Sequence, residues 1–130
     1  MTRPSEQEEL LIANFIVKEK QDRYLGFLTK ENTRRKFTKE LYHFKHFNWS
    51  LFQEIPGDQN AADIILSKLN KKPTPNCYVI SVDPEYDGKL LSVDEVITNI
   101  IGREGTILVF DDANIIYYEG EGPGNRYISL

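Results

Sequence analysis

Three carboxylates alternate along a short turn near the middle of the chain. Asp83, Glu85 and Asp87 are each separated by one residue, and Gly88 follows them directly. Alternating oxygen ligands of this kind suit a hard cation such as calcium, and a glycine permits the sharp turn that gathers them. One hypothesis is therefore that Asp83, Glu85 and Asp87 bind a divalent cation, with calcium as the cofactor, or another small ligand.

The segment 83–94 resembles the calcium loop of EF-hand proteins. Acidic side chains stand at its positions one, three, five and twelve, and glycine stands at position six. Pro84 at position two, Asp94 in place of a glutamate at position twelve, and a strand leading into the loop depart from that pattern. The alternative is an ordinary acidic turn on the surface, in which Asp94 and Glu95 serve to start a helix.

A basic stretch with interleaved aromatic residues offers a second kind of chemistry. Residues 18–46 carry nine lysines and arginines against four acidic residues, a local net charge of +5. Helical spacing places four of its side chains on the outer face of a predicted helix: Arg35, Lys39, Tyr42 and His46. Cations beside an exposed aromatic ring can neutralise phosphates and stack bases, so this face is a candidate contact for nucleic acid or for a partner protein. The net charge of −4 for the whole chain is unlike that of a basic nucleic-acid domain and favours the partner protein.

Patterns that signal catalysis are missing from the sequence. It contains no phosphate-cradling glycine motif, no nucleophile elbow and no cysteine–histidine pair with a third orienting group. The glycines at 120, 122 and 124 are closely spaced and no helical pattern follows them, which is typical of a turn. This favours a non-enzymatic protein that acts through protein–protein contact, as an interaction or regulatory module.

Composition predicts one globular domain in a reducing compartment. A chain of 130 residues with 40% hydrophobic residues fits a single domain, which divides into a helical half, 1–72, and a sheet half, 73–130. Cys77 is the one cysteine, so no internal disulfide is available. The acidic N-terminus is unlike a secretory signal, and no apolar run reaches the length of a membrane span. We therefore expect a cytoplasmic protein with no membrane partner.

The helical half contains three predicted helices. Ser5 and Glu8 form a capping box for a helix over 6–28, and further helices are predicted over 33–47 and over 59–70, the last capped by Asp58. The first half of the first helix is apolar nearly all round, which is typical of a central core helix. The alternative is a self-association surface, and hence a homodimer.

The sheet half reads as strand, helix, strand and hairpin. An apolar strand over 77–82 is followed by a helix over 93–101, whose start carries a capping box at Ser92, and then by a strand over 106–110. Two strands joined through a helix predict a parallel pair with a right-handed crossover. Strands over 115–119 and 126–130 complete the prediction. The expected fold is α+β, or α/β: an N-terminal three-helix region packed on a small mixed four-stranded sheet, with one β-α-β crossover and a C-terminal hairpin.

Four pieces of the sequence resemble a family of small bacterial α/β proteins of unknown function. The pieces are KEKQDRYLGFL, RRKFTKELYHF, CYVIS and YYEGE. The resemblance extends over most of the chain and implies a bacterial origin. It assigns no activity and no site residue.

Overall fold

A computed structural model describes residues 5–69, 76–110, 114–122 and 124–130 of the chain. The helices within these residues are α1 (Glu6–Phe15), α2 (Lys18–Leu28), α3 (Glu31–Glu40), α4 (Ala61–Leu69) and α5 (Val93–Asn99). The strands are β1 (Phe52–Glu54), β2 (Asn76–Ser81), β3 (Lys89–Ser92), β4 (Thr106–Phe110), β5 (Ile115–Glu119) and β6 (Arg126–Ser129). Short 3-10 turns over Leu41–His43 and Trp49–Leu51 lead from α3 to β1.

The strands form one sheet in the order β1-β6-β5-β4-β2-β3, and every neighbouring pair is antiparallel. The predicted four-stranded mixed sheet with a β-α-β crossover is therefore wrong, although the broader α+β assignment holds. The difference arises at Lys89–Ser92, which folds back on β2 as a hairpin before the chain enters α5. Because β3 has already reversed the chain direction, β4 meets β2 antiparallel, with Val79 opposite Leu108.

The sheet also gains a strand from the half of the chain predicted to be helical. β1 pairs with β6, and Phe52 lies opposite Ser129. In the sheet half, the predicted hairpin of β4 and β5 is confirmed, with Phe110 opposite Ile115. Residues 111–113 of its predicted loop lie outside the described part of the chain.

The first predicted helix, over 6–28, is two helices in the structure. The capping box at Ser5 is confirmed and starts α1, but Ile16 is extended and bridges to Phe47. The N–H of Val17 donates to the carbonyl of His46 at 2.9 Å, and this long-range pairing divides α1 from α2. The apolar periodicity of the sequence continues across this break, so the pattern predicted one helix where the structure has two.

The other two predicted helices are shorter than expected. α3 ends at Glu40 and passes into a 3-10 turn, so the helix over 33–47 stops about two turns early. α4 begins at Ala61, and the side chain of Asn60, rather than that of Asp58, accepts the N–H of Asp63.

Helices cover both faces of the sheet. α1, α2 and α3 pack on the face that carries Tyr78, Val109 and Tyr118. α4 and α5 pack on the opposite face, so the third predicted helix does not join the first two. The apolar first half of the N-terminal helix lies in the core, since Leu11 and Ile12 are buried. Among the described helices, none combines the length and apolar character that crossing a bilayer requires.

Candidate functional site

The acidic turn joins β2 to β3, and its carboxylates face different partners. Asp87 receives the guanidinium of Arg34 through two bonds, Nε to Oδ2 at 2.7 Å and Nη2 to Oδ1 at 3.0 Å. Asp83 accepts the N–H of Glu85 at 2.9 Å, and its other oxygen lies 3.7 Å from Arg103. Within the described residues, no group of three or more His, Cys, Asp or Glu side chains is arranged to hold a metal ion. The cation hypothesis stays a prediction, and the ion pair with Arg34 competes with it for the oxygens of Asp87.

Arg34 is the centre of a buried ionic cluster. Besides Asp87 it contacts Glu8 at 2.6 Å, and Glu8, only 1% exposed, also accepts the hydroxyl of Tyr78 at 2.9 Å. Burial alone would lower the pKa of Arg34, but hydrogen bonds to Asp87 and Glu8 outweigh it and raise that pKa. The cluster ties α1, α3 and the acidic turn together, which is a structural role. The sequence carries no local signal for it, because the three charged partners are far apart along the chain.

The four residues of the predicted basic face do not all lie together. Arg35 and Lys39 are exposed one helical turn apart on α3, and Tyr42 follows in the 3-10 turn with 37% of its surface exposed. The ring of His46 instead packs near Tyr24, with 6.1 Å between ring centroids. The structure therefore exposes three of the four residues and leaves His46 half-buried.

A recess lined by aromatic side chains opens beside Tyr42. We call it the aromatic recess; it has a volume of about 180 Å³ and is lined by Tyr42, His43, Phe44, Lys45, Trp49, Tyr118, Asn125 and Tyr127. Trp49 is 37% exposed, and its ring lies 4.8 Å from that of Tyr127. Its indole N–H donates to the carbonyl of Lys45 at 3.2 Å, which fixes the ring at the rim.

Tyr118 forms the floor of the aromatic recess. Its hydroxyl donates to the carbonyl of Leu41 at 2.6 Å and accepts the N–H of Phe44 at 3.0 Å. These two bonds hold the chain between α3 and β1 against the sheet, and so fix the position of Tyr42. By contrast, the hydroxyls of Tyr42 and Tyr127 donate no hydrogen bond to any residue that the structure describes.

Sequence reasoning found only part of this recess. It selected Tyr42 as an exposed aromatic residue but did not select Trp49. Tyr127 reaches the recess because β6 pairs with β1 and β5, a long-range arrangement that local patterns do not encode. The sequence feature that could have identified Trp49 is that it is the one tryptophan of the chain and lies between two predicted helices.

No protein-family model, no curated protein and no solved structure matches this chain. We therefore interpret the aromatic recess from its own geometry and charge.

Proposed function

We propose that the chain acts by binding another protein through the aromatic recess, as an interaction or regulatory module without a catalytic step of its own. The observation that carries this proposal is the exposure of Trp49 and Tyr42 around a recess with a fixed floor. Exposed tryptophan and tyrosine side chains are the residues that most often supply binding energy at protein interfaces.

The size of the aromatic recess favours a side chain over a free small molecule. Its volume of about 180 Å³ is below the range of roughly 300–1,000 Å³ that is usual for small-molecule pockets. A recess of this size accommodates one large apolar side chain of a partner. We therefore expect a partner segment that inserts a single anchor residue into the recess, against the rings of Trp49 and Tyr127.

Charge defines the rest of the partner segment. Lys45 lies at the aromatic recess, and Arg35 and Lys39 are exposed on α3 nearby in the chain. Since these cations belong to a stretch with a net charge of +5, they attract acidic side chains and speed their encounter. The proposed partner is a protein that presents an acidic segment around an apolar anchor.

Two alternatives keep less support. Nucleic acid could use Arg35, Lys39 and Tyr42, but His46 is half-buried and the whole chain has a net charge of −4. Cation binding at Asp83, Glu85 and Asp87 has to displace the ion pair between Asp87 and Arg34.

A cytoplasmic location in a bacterium is part of the main proposal, supported by the single buried Cys77 and by the family resemblance.

Selection from a random peptide library displayed on phage tests the proposal, with the full chain as bait. We expect enrichment of peptides in which acidic residues flank one aromatic or large aliphatic residue. The Trp49→Ala variant should weaken a selected peptide by roughly thirtyfold, the effect of losing about 2 kcal/mol at an interface hot spot.

Leu90→Ala is the matched control, because Leu90 is an exposed apolar residue on β3, at the other edge of the sheet from β1. Its affinity should equal that of the unmodified chain. Equal weakening by both variants, or selection of peptides without acidic residues, would contradict the proposal. Salt-sensitive binding of single-stranded RNA or DNA that Trp49→Ala abolishes, with no peptide selected, would assign the recess to nucleic acid instead.

A further inference from the structure

A second recess lies where the turn after α5 meets the turn between β5 and β6. We call it the glycine-walled recess; it has a volume of about 430 Å³ and is lined by Gly57, Gly102, Glu104, Glu119, Gly122, Gly124 and Arg126. This volume lies within the usual range of small-molecule pockets, roughly 300–1,000 Å³. Glycine walls leave its charged side chains as the main groups that a ligand would meet.

Two opposite charges face this recess without pairing with each other. Glu119 and Arg126 are direct neighbours across β5 and β6, a position where opposite charges usually attract and stabilise a sheet. Glu119 instead accepts the hydroxyl of Tyr117 at 2.6 Å and the N–H of Gly102 at 3.1 Å, both on Oε1. No ion pair joins Glu119 to Arg126.

Neutral groups also hold the guanidinium of Arg126. Its Nη2 donates to the carbonyl of Pro56 at 2.6 Å and to that of Gln59 at 3.0 Å. The fold thus keeps the cation and the carboxylate of a neighbouring pair in separate places along one recess. A largely buried carboxylate without a cation is unfavourable in free energy, and Glu119 is only 8% exposed. A bound cation would remove this free-energy cost.

A second carboxylate and an unpaired hydroxyl strengthen this polarity. Glu104 accepts the N–H of Gly122 at 2.7 Å, and no cation within the described residues forms an ion pair with it. Thr106, directly opposite Glu119 on β4, is buried, and its Oγ1 has no hydrogen-bond partner in the described structure. Two carboxylates and one guanidinium therefore line the recess, and the residue opposite one of those carboxylates carries a buried hydroxyl without a hydrogen-bond partner.

We propose that the glycine-walled recess binds a free α-amino acid. The ammonium group lies against the carboxylates of Glu104 and Glu119, and the carboxylate of the ligand lies on Arg126. A zwitterion supplies Glu119 and Arg126 with the opposite charges that they do not provide to each other across the strands, and its ammonium group also meets Glu104. This site is separate from the aromatic recess, and it adds a small-molecule ligand to a chain whose proposed function is protein binding.

Calorimetric titration of the full chain with each of the twenty common amino acids tests the proposal, followed by derivatives of those that bind. We expect at least one amino acid to bind in the millimolar range or tighter. Its N-acetyl and methyl ester derivatives, each of which lacks one of the two charges, should both bind about tenfold more weakly or worse. Absence of binding by all twenty would overturn the proposal, and so would equal binding of either derivative.

Glu104→Gln is the decisive variant, because Glu104 is exposed and its replacement leaves the core intact. It should weaken amino-acid binding by about tenfold, the usual effect of losing a charge-assisted hydrogen bond. Glu9→Gln, a matched change at an exposed glutamate of α1, should leave the affinity unchanged. Unchanged affinity in Glu104→Gln, or equal losses in the two variants, would exclude the site.

Discussion

Arg34 connects α1, α3 and the turn after β2 through its guanidinium group. It pairs with Glu8 at 2.6 Å and with Asp87 at 2.7 Å, and all three side chains are largely buried. Replacing Arg34 with methionine would leave two buried carboxylates facing each other without a cation. We expect Arg34→Met to lower the free energy of unfolding by about 3 to 5 kcal/mol, as measured by urea titration.

Arg35→Met provides the matched control, because Arg35 is the adjacent residue and is exposed. An exposed substitution of this kind changes the free energy of unfolding by about 0.5 kcal/mol or less. Equal losses for the two variants would show that the cluster around Arg34 does not stabilise the fold.

Four buried tyrosines make stability depend on pH in the alkaline range. Burial is the largest cause that raises their pKa values above the ordinary value of 10.0; they are Tyr24, Tyr78, Tyr117 and Tyr118. In the unfolded chain these hydroxyls lose protons from about pH 10 upward, whereas in the folded chain they keep them. Their contribution to stability is therefore complete below about pH 10 and is lost above it, by up to ~1.4 kcal/mol per pH unit and tyrosine.

Urea titrations across this range measure the effect. The free energy of unfolding should fall as the pH rises beyond about 10, and the fall should be shallower in Tyr24→Phe, which removes one of the groups. A slope identical to that of the unmodified chain would contradict the role assigned to Tyr24.

Among the secondary-structure elements, the two helix starts that carry a serine cap were predictable. Ser5 caps α1 and Ser92 caps α5, because capping depends on residues within one turn of each other. The strand order was not predictable in this way. The choice between a parallel and an antiparallel pair depended on Lys89–Ser92, four residues without a clear apolar alternation that also end in the helix cap.

Two glycines differ in whether their position requires a glycine. The turn before β4 requires Gly105, whereas α2 does not require Gly26. Gly105 has a φ of +74°, and a Cβ there would lie 2.9 Å from a methyl group of Val82. Gly26 lies within α2, and a Cβ there would meet no atom within 4 Å. We expect Gly105→Ala to destabilise the protein by about 1 to 3 kcal/mol and Gly26→Ala to stabilise it by roughly 0.5 to 1 kcal/mol.

Thermal unfolding of both variants checks this pair of predictions. The two midpoints should move in opposite directions from that of the unmodified chain. A Gly105→Ala variant as stable as the unmodified chain would show that the turn relaxes to accept a side chain.

At the scale of the whole molecule, the candidate site depends on how distant segments meet. Tyr42 and Trp49 come from the 3-10 turns between α3 and β1, whereas Tyr127 comes from β6. The sequence identified the basic stretch and one exposed aromatic residue, because both are local properties. The recess itself results from the pairing of β1 with β6 and from the hydrogen bond of Tyr118 to Leu41. Both are long-range contacts, which local sequence patterns do not encode.

The most direct test of binding at the aromatic recess uses the one tryptophan of the chain. The indole N–H signal of Trp49 is unique in a heteronuclear NMR spectrum and reports on the rim of the recess. We predict that this signal shifts as a peptide selected by the full chain is added, until the recess is saturated. The amide signals of Tyr42 and Tyr127 should shift with it. A peptide that binds while all three signals stay in place would contradict the proposal that the chain engages its partner through this recess.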